Sequence, residues 1–147
     1  MHRVIARLWR LLKPFQWRIL WFTHATFLVG VTGIVRDSEG RVLLLRHRLW
    51  AKGRQWGLPT GFARRSESFE ETVVREVREE TGLTVRVGRL ARLTSGFRLR
   101  CEVAYEAEYV SGDLTLDPME ILEARWCLPT ELPQGLQESH RLLIAST

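Results

Sequence analysis

The sequence predicts an α+β domain in which helices pack on a mixed β-sheet. Two observations carry this prediction. Runs of β-forming residues bounded by turn signals recur between residues 26 and 128, and helical patterns interrupt them after Ser68 and again near the end of the chain. A length of 147 residues, with 45% apolar and 27% charged residues, suits one domain able to bury a core. We place a basic amphipathic segment at residues 1–24 and the domain proper at 25–147.

The first segment, "MHRVIARLWRLLKPFQWRILWF", has helical spacing: Arg3, Arg7, Arg10 and Arg18 share one face, and Ile5, Leu8, Trp9, Leu12 and Ile19 fall largely on the other. Pro14 kinks or splits the pattern. Its uncharged runs are too short to span a bilayer, and Arg7 and Arg10 break the apolar stretch that a cleaved signal peptide needs. One reading of residues 1–22 is peripheral attachment to an anionic membrane, with a basic face and an opposite face of Trp and Leu. A cover for the domain's own sheet, a homodimer contact and an organelle presequence share the pattern. The expected location is the cytoplasm, or the inner face of a membrane.

Charge narrows the partners. The net charge is +5, but residues 1–36 carry six basic residues and no acidic one, which leaves residues 37–147 at −1. The high net charge therefore does not argue for a nucleic-acid-binding face on the domain. Cys101 and Cys127 form no CxxC pair and read as small core residues in a reducing compartment, although a bridge between them is open.

Element by element, "TFLVGVTGIVR" (26–36) is apolar on both faces and predicts a central strand. "DSEG" (37–40) is a turn into a second strand at 41–47, so the two read as a hairpin. A basic, aromatic loop follows over 48–55, and "QWGLP" (55–59) is a short strand. Ser68 with Glu71 forms a capping box that starts a helix, and Gly82 stands where a left-handed C-cap belongs. Strands are expected at 84–93, 97–110 and 123–128, with turns at 95–96 and 111–114. A last helix within 131–145 turns Leu136, Leu143 and Ile144 inward.

The helix after Ser68 carries the chemistry. With 100° per residue, Phe69, Val73 and Val77 define the face that packs on the sheet, and Glu76 and Glu80 lie on that same stripe, with Glu79 beside it. Like charges four residues apart repel, and inward carboxylates lose hydration. Arg75 can relieve part of this through Glu71 or Glu79. Three clustered carboxylates favour a hard divalent cation, Mg²⁺ or Mn²⁺. A solvated helix laced with Glu–Arg pairs is the plainer alternative.

Residues 61–83, "GFARRSESFEETVVREVREETGL", resemble the Nudix box, G-x5-E-x7-R-E-U-x-E-E-x-G-U with U aliphatic. Gly61, Glu67, Arg75, Glu76, Val77, Glu79, Glu80, Gly82 and Leu83 fill all nine specified positions. Seven fixed matches at about one in twenty each arise by chance on the order of once in a billion. A looser resemblance extends over about residues 26–133.

The resemblance implies a Nudix fold, an α/β/α sandwich around a mixed sheet, and metal-dependent hydrolysis of a nucleoside diphosphate derivative by water attack at phosphorus. By position it implies that Glu76, Glu79 and Glu80 hold Mg²⁺ or Mn²⁺, with the Gly61 carbonyl as a further ligand and with Glu67 and Arg75 orienting them. The base that activates water is Glu76 or Glu79, or comes from Asp117, Glu120 or Glu123, with Glu120 ranked first among these three. Thr60 and Ser66 stand where many relatives have glycine, and neither change removes a ligand.

Trp50, Trp56 and Phe62 can stack on a base, and Arg48, Lys52 and Arg54 can meet phosphates. The alternatives are core positions for Trp56 and Phe62 and solvated arginines. The expected partner is a small nucleoside diphosphate derivative. A non-catalytic Nudix-like module that binds a nucleotide or a membrane is the rival from another class, and an RNA 5′-end hydrolase is a second.

Overall fold

The computed structural model describes residues 26–96 and 99–147, together with Phe15, Arg18, Trp21, Phe22 and His24. Seven strands form one mixed sheet. They are β1 (Leu28–Arg36), β2 (Val42–His47), β3 (Trp56–Gly57), β4 (Thr60–Phe62), β5 (Thr84–Ser95), β6 (Arg100–Ser111) and β7 (Ile121–Cys127). Helix α1 (Phe69–Thr81) lies between β4 and β5, and α2 (Glu138–Ala145) closes the chain.

β1 is the centre of the sheet, as its two apolar faces require. It runs parallel to β6 from Leu28↔Arg100 to Arg36↔Glu108 and antiparallel to β4. These partners occupy both its edges. The expected β1–β2 hairpin is therefore confined to its turn, where only Arg36 and Val42 pair, and β2 diverges to β3 and β7. Asp37 holds that turn, accepting from the backbone N–H groups of Glu39 and Arg41.

Alternation along the strands feeds two cores. Val31, Val35, Leu43 and Leu45 meet Val73 and Val77 of α1. Ile34, Val42 and Leu44 meet Leu136, Leu143 and Ile144 around α2. The sheet is thus covered by a helix on each face, the α/β/α arrangement that the resemblance implies. Cys101 and Cys127 are free, partly buried thiols.

Helix α1 begins and ends as its caps dictate. Ser68 and Glu71 exchange bonds of 3.1 and 2.7 Å, and Gly82 adopts φ 73°. Its inward stripe differs at one end. Val73, Val77 and Glu80 are buried, but Phe69 is 36% exposed. Phe69 has the right angle but is the first residue of the helix, ahead of the first buried position, Thr72. Among the described residues no helix is long and apolar enough to cross a membrane. Of the N-terminal segment, Phe15, Arg18, Trp21 and Phe22 are helical, and the attachment expected of residues 1–22 otherwise falls outside the described residues.

Candidate active site

The last turns of α1, the strand β4 and the loop before β7 meet around a cleft of about 730 Å³. The loop is tied to the helix end: Thr115 N–H donates to Thr81 O at 2.8 Å, and Asp117 N–H to Glu80 O at 3.3 Å. Arg48, one residue past β2, fastens the same loop through its backbone N–H to Glu120 O and its Nε to Pro118 O. It anchors the loop while its side chain stays exposed to solvent. As a result Glu76, Glu79, Glu80, Asp117 and Glu120 all line one cleft.

Glu80 is the residue on which the cleft is built. It is 3% exposed, and its Oε2 has no hydrogen-bond partner. Burial, then the charges of Glu76, Glu120 and Glu79, push its carboxyl up to about 9, against a pull from the Thr60 backbone. Glu76 is also raised, by burial first, although Arg75 offsets part of this. A Cβ at Gly61 would collide with the Glu76 carboxylate, so glycine is what lets strand and helix approach here.

Arg75 organises the outer carboxylates. Its Nε and Nη2 donate to the two oxygens of Glu67 at 2.7 and 3.0 Å, and its Nη1 reaches Glu76 at 2.5 Å and Glu79 at 3.1 Å. The bond to Arg75 holds Glu67 down at about 2. Arg75 Nη2 also donates to Phe62 O, and Arg64 grips Glu79 with both terminal nitrogens.

Drawn to these arginines, Glu76 and Glu79 do not converge with Glu80, and among the described residues no three His, Cys, Asp or Glu side chains stand in metal-holding geometry. The donor set nevertheless fits a hard cation. A buried carboxylate with a bare oxygen faces four more carboxylates across one cleft, and a divalent ion would neutralise that repulsion with oxygen ligands.

The remaining sequence candidates separate. Asp117 and Glu120 line the cleft, whereas Glu123 pairs with Arg125 and Arg46 away from it. Trp56 is buried, but Phe62 is 46% exposed on the cleft wall, with the Arg100 guanidinium 5.3 Å from its ring centre. The core reading of Phe62 is therefore corrected: it lies at the end of the short strand β4, off the packed layers. Trp50 lines the cleft with one ring face already stacked on His47. Arg54 lines a neighbouring depression, and Lys52 is not among the cleft residues.

Thr60 bonds Thr32 Oγ1 and Val31 O, which accounts for a threonine there. Ser66 sits at φ 64°, the left-handed region where relatives' glycine is unstrained.

His47 is the residue sequence reasoning missed. It is 6% exposed, with Nδ1 3.9 Å from Glu80 Oε1. Burial lowers it to about 4. The signal was available: His47 shares the parity of Leu43 and Leu45, the residues of β2 that face α1.

Comparison with known proteins agrees with this geometry. The NUDIX domain family profile matches residues 26–146. The NAD-capped RNA hydrolase NudC of Enterobacter sp. (strain 638) is 38% identical over 106 residues, which are 70% of this chain and 39% of that protein. The chain thus spans well under half the length of the curated relatives it matches. The MutT NUDIX hydrolase of Burkholderia pseudomallei superposes with a TM-score of 0.72 at 25% identity, over 82% of this chain and 97% of that one. The MutT protein of Methanosarcina mazei Go1 does so with a TM-score of 0.66 at 27% identity, over 83% and 93%. With the complete box at residues 61–83 and the fold that surrounds it, the chain belongs to the Nudix family.

Proposed function

We propose that this protein is a divalent-cation-dependent hydrolase that cleaves the diphosphate linkage of a nucleoside diphosphate derivative by water attack at phosphorus. The observation that carries the reading is Glu80, buried with a bare oxygen and facing Glu76, Glu79 and Glu120 across one cleft. A structural acid would be paired or replaced by an apolar residue.

Glu76, Glu79, Glu80 and the Gly61 carbonyl would hold Mg²⁺ or Mn²⁺, which when bound neutralises diphosphate charge and acidifies water. Glu67 and Arg75 fix where those carboxylates stand. Glu120 takes the proton of the attacking water. Among the described residues it has no arginine partner, whereas Glu76 and Glu79 are held by Arg75 and Arg64. Its carboxylate is thus an unengaged acceptor at the cleft. Exposed Phe62 offers a ring to a base, and Arg64 a cation to a phosphate.

The name of the NudC relatives makes NAD-type dinucleotides the first substrates to try, free or at an RNA end. The test is phosphate or nucleotide release from NADH, NAD-capped RNA, ADP-ribose, dinucleoside polyphosphates, nucleotide sugars and nucleoside triphosphates, each with Mg²⁺, Mn²⁺ or EDTA. Cation-dependent turnover of one class is expected. A folded protein that binds Mg²⁺ but turns over none of them would be a binding module instead.

A further inference from the structure

Two buried side-chain atoms among the described residues lack hydrogen-bond partners, Glu80 Oε2 and His47 Nε2, and they belong to neighbouring side chains. Such atoms are costly to bury and rare in folded proteins. His47 is held firmly. Its ring stacks on Trp50 with centres 3.7 Å apart and planes 14° from parallel. Trp50 in turn leans on His140 at 5.8 Å, and the His140 Nδ1 accepts the Leu58 N–H at 3.0 Å. Gly57 leaves room for this row, since a Cβ there would run into both the Trp50 and His140 rings. The row is anchored in β3 and α2 and ends with an imidazole nitrogen against Glu80 Oε1.

We propose that His47 is a positioning residue for Glu80. Its Nδ1 side faces Oε1 of the carboxylate, which would leave the unpartnered Oε2 available to a cation. At 3.9 Å the two groups are not hydrogen-bonded, and a movement of about 1 Å closes the contact. Among the described residues no side chain hydrogen-bonds Glu80, whose carboxylate is otherwise held only by the Thr60 backbone, so His47 is the side chain that limits rotation about its last torsion. The inference rests on reading Glu80 as a cation ligand.

Three variants of the full chain test it, with Mn²⁺ affinity read by electron paramagnetic resonance and folding read by the thermal midpoint in EDTA. His47→Phe keeps a ring on Trp50 and removes both nitrogens. His47→Asn places an amide nitrogen where Nδ1 stands, and His47→Gln places one where Nε2 stands. The Mn²⁺ dissociation constant should rise about 10- to 100-fold in His47→Phe and His47→Gln and return to within about threefold of wild type in His47→Asn. Wild-type affinity in His47→Phe, or equal losses in all three variants, overturns the proposal and leaves His47 a packing residue. If His47→Phe fails to fold, the Asn and Gln pair decides alone. Absence of Mn²⁺ binding by the wild type would remove the cation reading itself along with the inference, a result distinct from binding that ignores position 47.

Discussion

Gly61 and Glu76 share one space: the helix carboxylate lies where any side chain on the strand would stand. The neighbour that must move for a larger residue is the far end of a flexible side chain, not backbone. Gly61→Ala is therefore expected to cost less than about 1.5 kcal/mol in urea unfolding, while Glu76 swings out of the cleft. Hydrolysis should fall more than about 10-fold. Equal, small effects on both would show that Glu76 is not held for function.

Arg75 and Glu67 predict the opposite balance. Arg75 places five hydrogen bonds on Glu67, Glu76, Glu79 and Phe62 O, and a lysine cannot reproduce the fork. Arg75→Lys should cost about 2–4 kcal/mol of stability as well as activity. Glu67, now at about 2, should titrate higher in that variant, short of its ordinary 4.5 because the bonds from Arg64 N–H and Thr72 Oγ1 remain. A depressed carboxylate stabilises the fold above its unfolded value and loses this as pH falls, so the variant should also unfold at less acidic pH. Unchanged acid unfolding would contradict the pairing.

The pH dependence of stability in EDTA carries the signature of the buried groups. Glu80, raised from 4.5 to about 9, keeps a proton that the unfolded chain has lost, so stability falls as pH climbs between those values. His47 and His140, lowered from 6.5 to about 4, act in reverse: the unfolded chain binds protons the fold refuses, and stability rises with pH up to 6.5. Two histidines outweigh one carboxylate below pH 6.5, so stability should peak near there and decline above it. Thermal unfolding in EDTA across pH 5 to about 9 checks this. Glu80→Gln should remove the decline, as should saturating Mg²⁺. A decline that survives in Glu80→Gln would place its source elsewhere.

What the sequence makes legible here is what depends on neighbours along the chain. Ser68, Glu71 and Gly82 act within one turn of α1, and the spacing of Val73, Val77 and Glu80 survives into the structure because one helix face meets one sheet. The burial of Leu136, Leu143 and Ile144 follows from the same periodicity. The parallel pairing of β1 with β6 has no local mark, and it is what pulls β2 out of the expected hairpin. Phe69 and Phe62 fail for a related reason: each lies at the end of its element, where pattern gives direction but not depth. His47 becomes significant only when β2 and α1 are brought together, which places its ring against Glu80.

The central claim is that Glu80 holds the cation on which hydrolysis depends. Its most direct test is kcat/KM of Glu80→Gln, measured with Mg²⁺ on whichever diphosphate the wild type turns over best, beside the thermal midpoint of both proteins in EDTA. Even residues that only orient metal ligands cost 10- to 100-fold, so loss of the ligand should lower kcat/KM by more than about 100-fold. The thermal midpoint at pH 8 should hold or rise, because a buried group that resists ionisation has been made neutral. Near wild-type turnover in a folded Glu80→Gln protein would contradict the account.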